Sequence, residues 1–137
     1  DLSIAFQMLV YPVMDYTGGT PTYEKFGRGF GPLMADSVPW FREHYFTSDE
    51  DLKDWRASPA RATTFAGLPP TLLITAECDI LNHEGTACGE RLTADGVACE
   101  HVDFEGMIHA FFSMAPMLDD SIAAQALAAD RLKAALS

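Results

Sequence analysis

Leu68-Pro69-Pro70-Thr71-Leu72-Leu73-Ile74-Thr75-Ala76-Glu77-Cys78-Asp79 sets a continuous apolar run between turn-forming prolines and a polar end. A short run without alternation is what a strand covered on both faces requires, the usual state in a parallel sheet. Upstream, Ala5 to Tyr11 reads the same way and stops at Pro12. Downstream, Glu84 to Asp95 carries Ala87, Cys88, Arg91 and Leu92 at helical spacing, with Gly96 placed to end the helix. A third strand, Ala98 to Phe104, alternates: Ala98, Val102 and Phe104 share one parity, and Cys99, His101 and Asp103 the other. That pattern predicts an edge strand with one side toward water or a partner. From Asp119 to Leu136 the positions Ile122, Ala126, Ala129, Leu132 and Leu136 step by three and four, which predicts a one-sided helix with acids in its first turn. Strand, helix, strand, helix in this order predicts an α/β fold with a parallel sheet.

The 137 residues suffice for one domain and not for two. Hydrophobic residues at 48% exclude a disordered segment. Nine Lys and Arg stand against 20 Asp and Glu, a net charge of −11. This sign opposes binding to a nucleic-acid backbone or to an anionic membrane. No apolar run approaches the roughly 18 residues of a spanning helix, and no basic stretch followed by an apolar one opens the sequence. Cys78, Cys88 and Cys99 form no CxxC pair and are odd in number, so they read as buried thiols of a cytoplasmic protein. The first residue is Asp1 rather than Met, which suggests a processed or excised piece.

Asp15 to Gly67 fits none of these units. It begins irregularly, with Gly18, Gly19, Pro21, Gly27, Gly29, Gly31 and Pro32, and then reads as a helix from about Ser37 to Phe46 carrying Trp40, Phe41 and Tyr45. An excursion this long between parallel strands is expected to be functional.

In parallel sheets reactive groups gather beyond the carboxyl ends of the strands. Asp79 follows the second strand and His109 the third, so the two can meet and the carboxylate can orient the imidazole. The residues alone leave two options open: a catalytic pair, or a turn-capping Asp79 beside an unrelated loop histidine. Ser58 lacks the flanking glycines of a strained nucleophile turn, and Cys78 reads as a buried thiol. His44, His83, His101 and His109 show no ligand spacing, and His83-Glu84 lacks the second His of a zinc-protease helix, so no metal is expected.

Leu68 to Leu81, Glu84-Gly85, Glu90-Arg91-Leu92 and Gly106-Met107-Ile108-His109-Ala110-Phe111 together resemble the C-terminal half of the hormone-sensitive-lipase-like carboxylesterases, a branch of the α/β-hydrolase family. The likeness extends to Ile4 to Pro12, to Trp40-Phe41 and Tyr45, and to Ser58-Pro59. It implies the last three parallel strands of that fold with flanking helices. Residues 1–137 would be the C-terminal portion of a single domain, with an insertion at 16–67 contributing to a cap and the substrate pocket. It implies a Ser, Asp, His triad in which Asp79 is the acid and His109 the base, with Trp40, Phe41, Leu81 and Ile108 against a small ester substrate and no cofactor. The Gly-x-Ser-x-Gly turn and the oxyanion motif are absent from these residues, so the N-terminal half of the same enzyme would be the partner that supplies them. The fragment alone is expected to be inactive, and the intact enzyme to favour short acyl groups. The alternative implied by the same fold is a non-catalytic small-molecule receptor or binding module. Ile80, His83 and Ala110 replace the Pro, Asp and Gly usual in the family. The resemblance also favours a homodimer through 98–104 and 119–136.

Overall fold

The computed structural model describes residues 3–137. Three strands, β1 (Gln7–Val10), β2 (Thr71–Cys78) and β3 (Cys99–Ile108), form one sheet in the order β1-β2-β3, every pair parallel. Four helices accompany them: α1 (Pro21–Phe26), α2 (Val38–Tyr45), α3 (Asn82–Ala94) and α4 (Asp119–Ala135). Among the described residues no helix is long and apolar enough to cross a membrane.

β2 is the central strand, and Thr71 to Ala76 are buried throughout, as the unbroken apolar run predicts. Leu72, Ile74 and Ala76 pack beneath α4 with Phe111, Ala124 and Ala128. The opposite parity meets α3, where the absence of a side chain at Gly85 is obligatory. A Cβ there would stand 2.8 Å from Thr75 Cγ2. Complete burial of Leu72, Leu73 and Ile74 contributes about 1.5–3 kcal/mol for each side chain. The C-terminus of α3 closes as a Schellman turn around Gly96 at φ +81°, with Gly96 N–H donating to Thr93 O and Val97 N–H to Leu92 O.

β1 departs from expectation: its four residues are half-buried. Only one of its edges is paired among the described residues. Its Met8 and Val10 join the α4-side core, while Gln7 and Leu9 border an open apolar trough.

β3 begins one residue later and ends four residues later than expected, and it is an edge strand of the described sheet, with Glu100, Asp103 and Glu105 exposed and two of them bonded to neighbouring elements. Thr75 Oγ1 donates to Asp103 at 2.6 Å and contacts His101 Nε2 at 2.8 Å, and Asn82 donates to Asp103 at 2.8 Å. On the other side Glu100 accepts two bonds from Arg131 of α4, at 2.5 and 2.8 Å.

The face of α4 is also corrected. Ser121, Ala124 and Ala128 are buried, whereas Ile122, Ala126, Ala129 and Leu136 face outward. Small residues let the helix approach the sheet, and Ser121 Oγ locks it by donating to Phe112 O at 3.0 Å.

Within the long excursion α1 is an additional helix, started by Pro21 at its first position inside a stretch expected to be irregular. A 3₁₀ turn at Ala35–Ser37 leads into α2. This segment packs onto the carboxyl end of β2: Phe26, Ile80 and Leu81 form a buried cluster with Val13, Tyr23, Leu33 and Val38 around it.

Candidate active site

Asp79 is the first residue after β2, and its position is over-determined. It is 2% exposed, its carbonyl accepts the Asn82 N–H, and its Oδ1 accepts the Leu81 N–H at 3.0 Å. These bonds shape the turn that starts α3 and leave Oδ2 for an outside partner.

That partner is His109, which a disturbance in β3 delivers. Ala76 pairs with Phe104, but Cys78 pairs with Ile108, so β3 carries two extra residues between these points. Gly106 accommodates the bulge at φ +70°, and its N–H donates to the Glu77 carboxylate at 2.8 Å. The strand therefore continues past Phe104 and releases His109 beside the end of β2. His109 Nδ1 lies 2.6 Å from Asp79 Oδ2. An ionised carboxylate only accepts, so Nδ1 carries the proton in this bond and neutral His109 keeps Nε2 as its free acceptor.

The imidazole, with its side chain 22% exposed, lines a cavity of about 370 Å³. This volume lies in the range of small-molecule sites. Its walls include Tyr16, Tyr23, Leu33, Val38 and Phe41 from residues 16–67, with Leu81 from the turn after Asp79. Burial pushes the Tyr23 phenol up to about 12, so this wall stays neutral.

Of the expected pocket residues, Phe41 and Leu81 are in the lining, whereas Trp40 and Ile108 are not. Trp40 is 56% exposed and stacks on His44, one step around α2 from Phe41. Ile108 packs against Gly31 instead. Ser58 is fully buried, donating to Leu52 O and accepting the Tyr16 N–H, and is a structural residue. Among the described residues no group of three or more His, Cys, Asp or Glu could hold a metal ion.

Two features went unforeseen. Tyr11, one residue past β1, lines the cavity and sets its ring centroid 4.4 Å from that of His109. The strand-end rule that selected Asp79 and His109 applies to it equally. The other is Glu84, in the first turn of α3 and 5% exposed. Its Oε1 accepts the N–H groups of Met14 and Asp15 at 2.7 and 3.3 Å, while buried Oε2 has no partner.

Burial pushes Glu84 from the ordinary 4.5 up to about 7. The folded state thus holds this proton more tightly than the unfolded chain. The resulting stability is complete below pH 4.5 and is lost as pH climbs through 7. The shift corresponds to about 3 kcal/mol. Glu84→Gln is expected to remove this slope, so that urea midpoints of variant and parent diverge in the variant's favour between pH 5 and pH 8. Parallel midpoints across that window would show that Glu84 does not titrate there.

A family description reading "alpha/beta hydrolase fold" matches residues 1–113. The chain is 31% identical over 115 residues to an ethyl acetate hydrolase of Pseudomonas putida, covering 84% of this chain and 36% of that protein. It is 35% identical over 109 residues to the carboxylic ester hydrolase LipN of Mycobacterium tuberculosis, covering 79% and 29%. Among solved structures, EstE1, a thermostable carboxylesterase cloned from a metagenomic library, superposes with a TM-score of 0.92 at 34% identity, covering 98% of this chain and 46% of that one. The hyperthermophilic esterase of the archaeon Pyrobaculum calidifontis gives 0.90 at 34%, covering 94% and 43%. The chain spans about a third of the length of the curated relatives it matches. With its three parallel strands and flanking helices corresponding to a C-terminal portion of the fold, the chain belongs to the alpha/beta hydrolase family, among relatives that are carboxylesterases.

Proposed function

We propose that the intact protein is a carboxylic ester hydrolase in which Asp79 and His109 are the acid and base of a Ser-Asp-His triad. The observation that carries this reading is the 2.6 Å bond between a buried carboxylate and an imidazole that lines a small-molecule cavity. His109 Nε2 takes the proton of a serine hydroxyl as the serine oxygen attacks the ester carbonyl, and returns it to the departing alcohol. Asp79 holds the tautomer and stabilises the imidazolium formed in between. The serine and the oxyanion donors come from the N-terminal half of the same enzyme, and no cofactor takes part. Retention of both Asp79 and His109, bonded to each other, counts against the alternative of a non-catalytic binding module.

The substrate is a small ester. Residues 16–67 contribute the rings of Tyr16, Tyr23 and Phe41 to the walls of a cavity of about 370 Å³, which suits a small acyl group better than a long chain. Each methylene that does fit adds only about 0.8 kcal/mol. Two copies would pair through the unpaired edge of β3 and the exposed stripe Ile122, Ala126, Ala129 and Leu136 of α4 and its C-terminal cap.

The test is a p-nitrophenyl ester series with the full-length protein. Turnover should be greatest on acetate or butyrate and should disappear in His109→Ala. Residues 1–137 alone should be inert. Undiminished hydrolysis by His109→Ala would refute the assignment.

A further inference from the structure

Tyr11 and Ala110 are the two non-glycine residues with positive φ among those described, at +35° and +69°. They flank a single contact. Ala110 directly follows His109, and the Tyr11 ring lies on the His109 imidazole, centroids 4.4 Å apart and planes inclined by 53°. Left-handed backbone is unfavourable for any side chain and most of all for a bulky one. It persists where the surroundings dictate it, and such outliers gather at functional sites.

The surroundings of Tyr11 are explicit. Its N–H donates to Ile74 O at 2.7 Å, so the β1–β2 ladder continues through the strained residue. Its ring meets Phe111 edge-on with centroids 6.1 Å apart. Burial raises the phenol above its ordinary value, the Ser113 hydroxyl beside it pulls the other way, and the Asp79 charge adds to the rise. Tyr11 is thus wedged between β2 and the 3₁₀ turn Phe111–Ser113, which begins two residues after His109.

His109 needs such a wedge. Its imidazole is tethered to Asp79 through Nδ1, and a ring tethered through one nitrogen can still swing about that bond. A second ring packed against it at a centroid distance of 4.4 Å restricts this freedom. We propose that Tyr11 is a positioning residue for His109, holding the imidazole in the orientation that gives Nδ1 to Asp79 and leaves Nε2 to the cavity. The inference rests on the ester-hydrolase reading above and adds to it a residue outside the triad.

The full-length protein with Tyr11→Phe, Tyr11→Leu and Tyr11→Asn tests it. Phe keeps the ring, Leu keeps only bulk, and Asn accepts positive φ without a ring. On p-nitrophenyl butyrate, Tyr11→Phe should retain kcat within about threefold. Tyr11→Leu and Tyr11→Asn should lose kcat about 10- to 100-fold with KM changed less than threefold, the signature of a misplaced reacting group rather than a lost binding wall. The rate of inactivation by an aryl phosphonate, which reads serine activation without acyl turnover, should fall in step. Should Tyr11→Leu not fold, Tyr11→Asn decides alone. A raised KM with unchanged kcat and unchanged inactivation in the ring-less variants would make Tyr11 a wall and overturn the proposal. Activity surviving in His109→Ala would instead remove the triad reading beneath it, so the two failures are distinct.

Discussion

Asp79→Asn in the full-length protein is expected to lower kcat on a short-chain aryl ester about 10³- to 10⁴-fold while KM stays within a few-fold. The substitution is nearly isosteric, and the amide oxygen can still accept the Leu81 N–H that Oδ1 accepts in the parent. What changes is the group facing His109. An NH₂ at the position of Oδ2 is a donor, so Nδ1 must become the acceptor and the ring proton moves to Nε2. In that tautomer Nε2 cannot take a proton from serine. The fold survives and the base is lost, so circular dichroism and thermal midpoint should change little. A kcat within tenfold of the parent would mean that the Asp79–His109 bond is structural.

Phe111→Ala is expected to cost about 3–5 kcal/mol, measured as a fall in the urea midpoint, with Phe111→Leu costing about 1 kcal/mol. Phe111 is fully buried and is the largest such side chain among the described residues. Its ring lies 5.0 Å from that of Phe104 and 6.1 Å from that of Tyr11, above Leu72, Ile74 and Ala76 and under α4. Truncation would leave a ring-sized void between sheet and helix that neither layer can fill without breaking its own bonds. It would also loosen the turn that holds His109, so activity should fall before global unfolding. A cost below about 1 kcal/mol would show that the layer relaxes, contrary to close packing.

The parallel sheet and its buried strand β2 were legible from strong local signals, whereas strand ends only nominated Asp79 and His109, and the family resemblance chose between a catalytic pair and a turn-capping residue beside a loop histidine. An apolar run without alternation marks β2, and strand ends in a parallel sheet mark the reactive positions. The features that were not legible share a physical cause: tertiary packing outweighed a weak or ambiguous local preference. Alanine serves either face of a helix, so in α4 the choice between Ile122, Ala126 and Ala129 and the observed Ser121, Ala124 and Ala128 was settled by closeness to the sheet. Glu105-Gly106 looks like the end of a strand, yet the Glu77 carboxylate turns it into a bulge that continues β3 to Ile108. Positive φ at Tyr11 has no sequence signature, because tyrosine is not a turn residue. Trp40 and Phe41 are adjacent aromatics, and only the rotation of α2 decides that Phe41 reaches the cavity. Nothing local marks Glu84 as buried, because its burial depends on a loop 70 residues earlier in the chain.

The spacing of the three strands along the chain has a kinetic consequence. β2 and β3 are separated by the 20 residues from 79 to 98, whereas β1 and β2 are separated by the 60 from 11 to 70. Closing the longer loop costs about 1 kcal/mol more chain entropy, before any ordering of the excursion itself. The β2–α3–β3 unit is therefore the cheaper nucleus, and Asp79 and His109 belong to that same stretch of chain. Their carboxylate and imidazole would come together early in folding, before β1 docks and brings the Tyr11 ring. Destabilising substitutions in β2 or α3 should accordingly slow folding, while those in β1 should chiefly hasten unfolding.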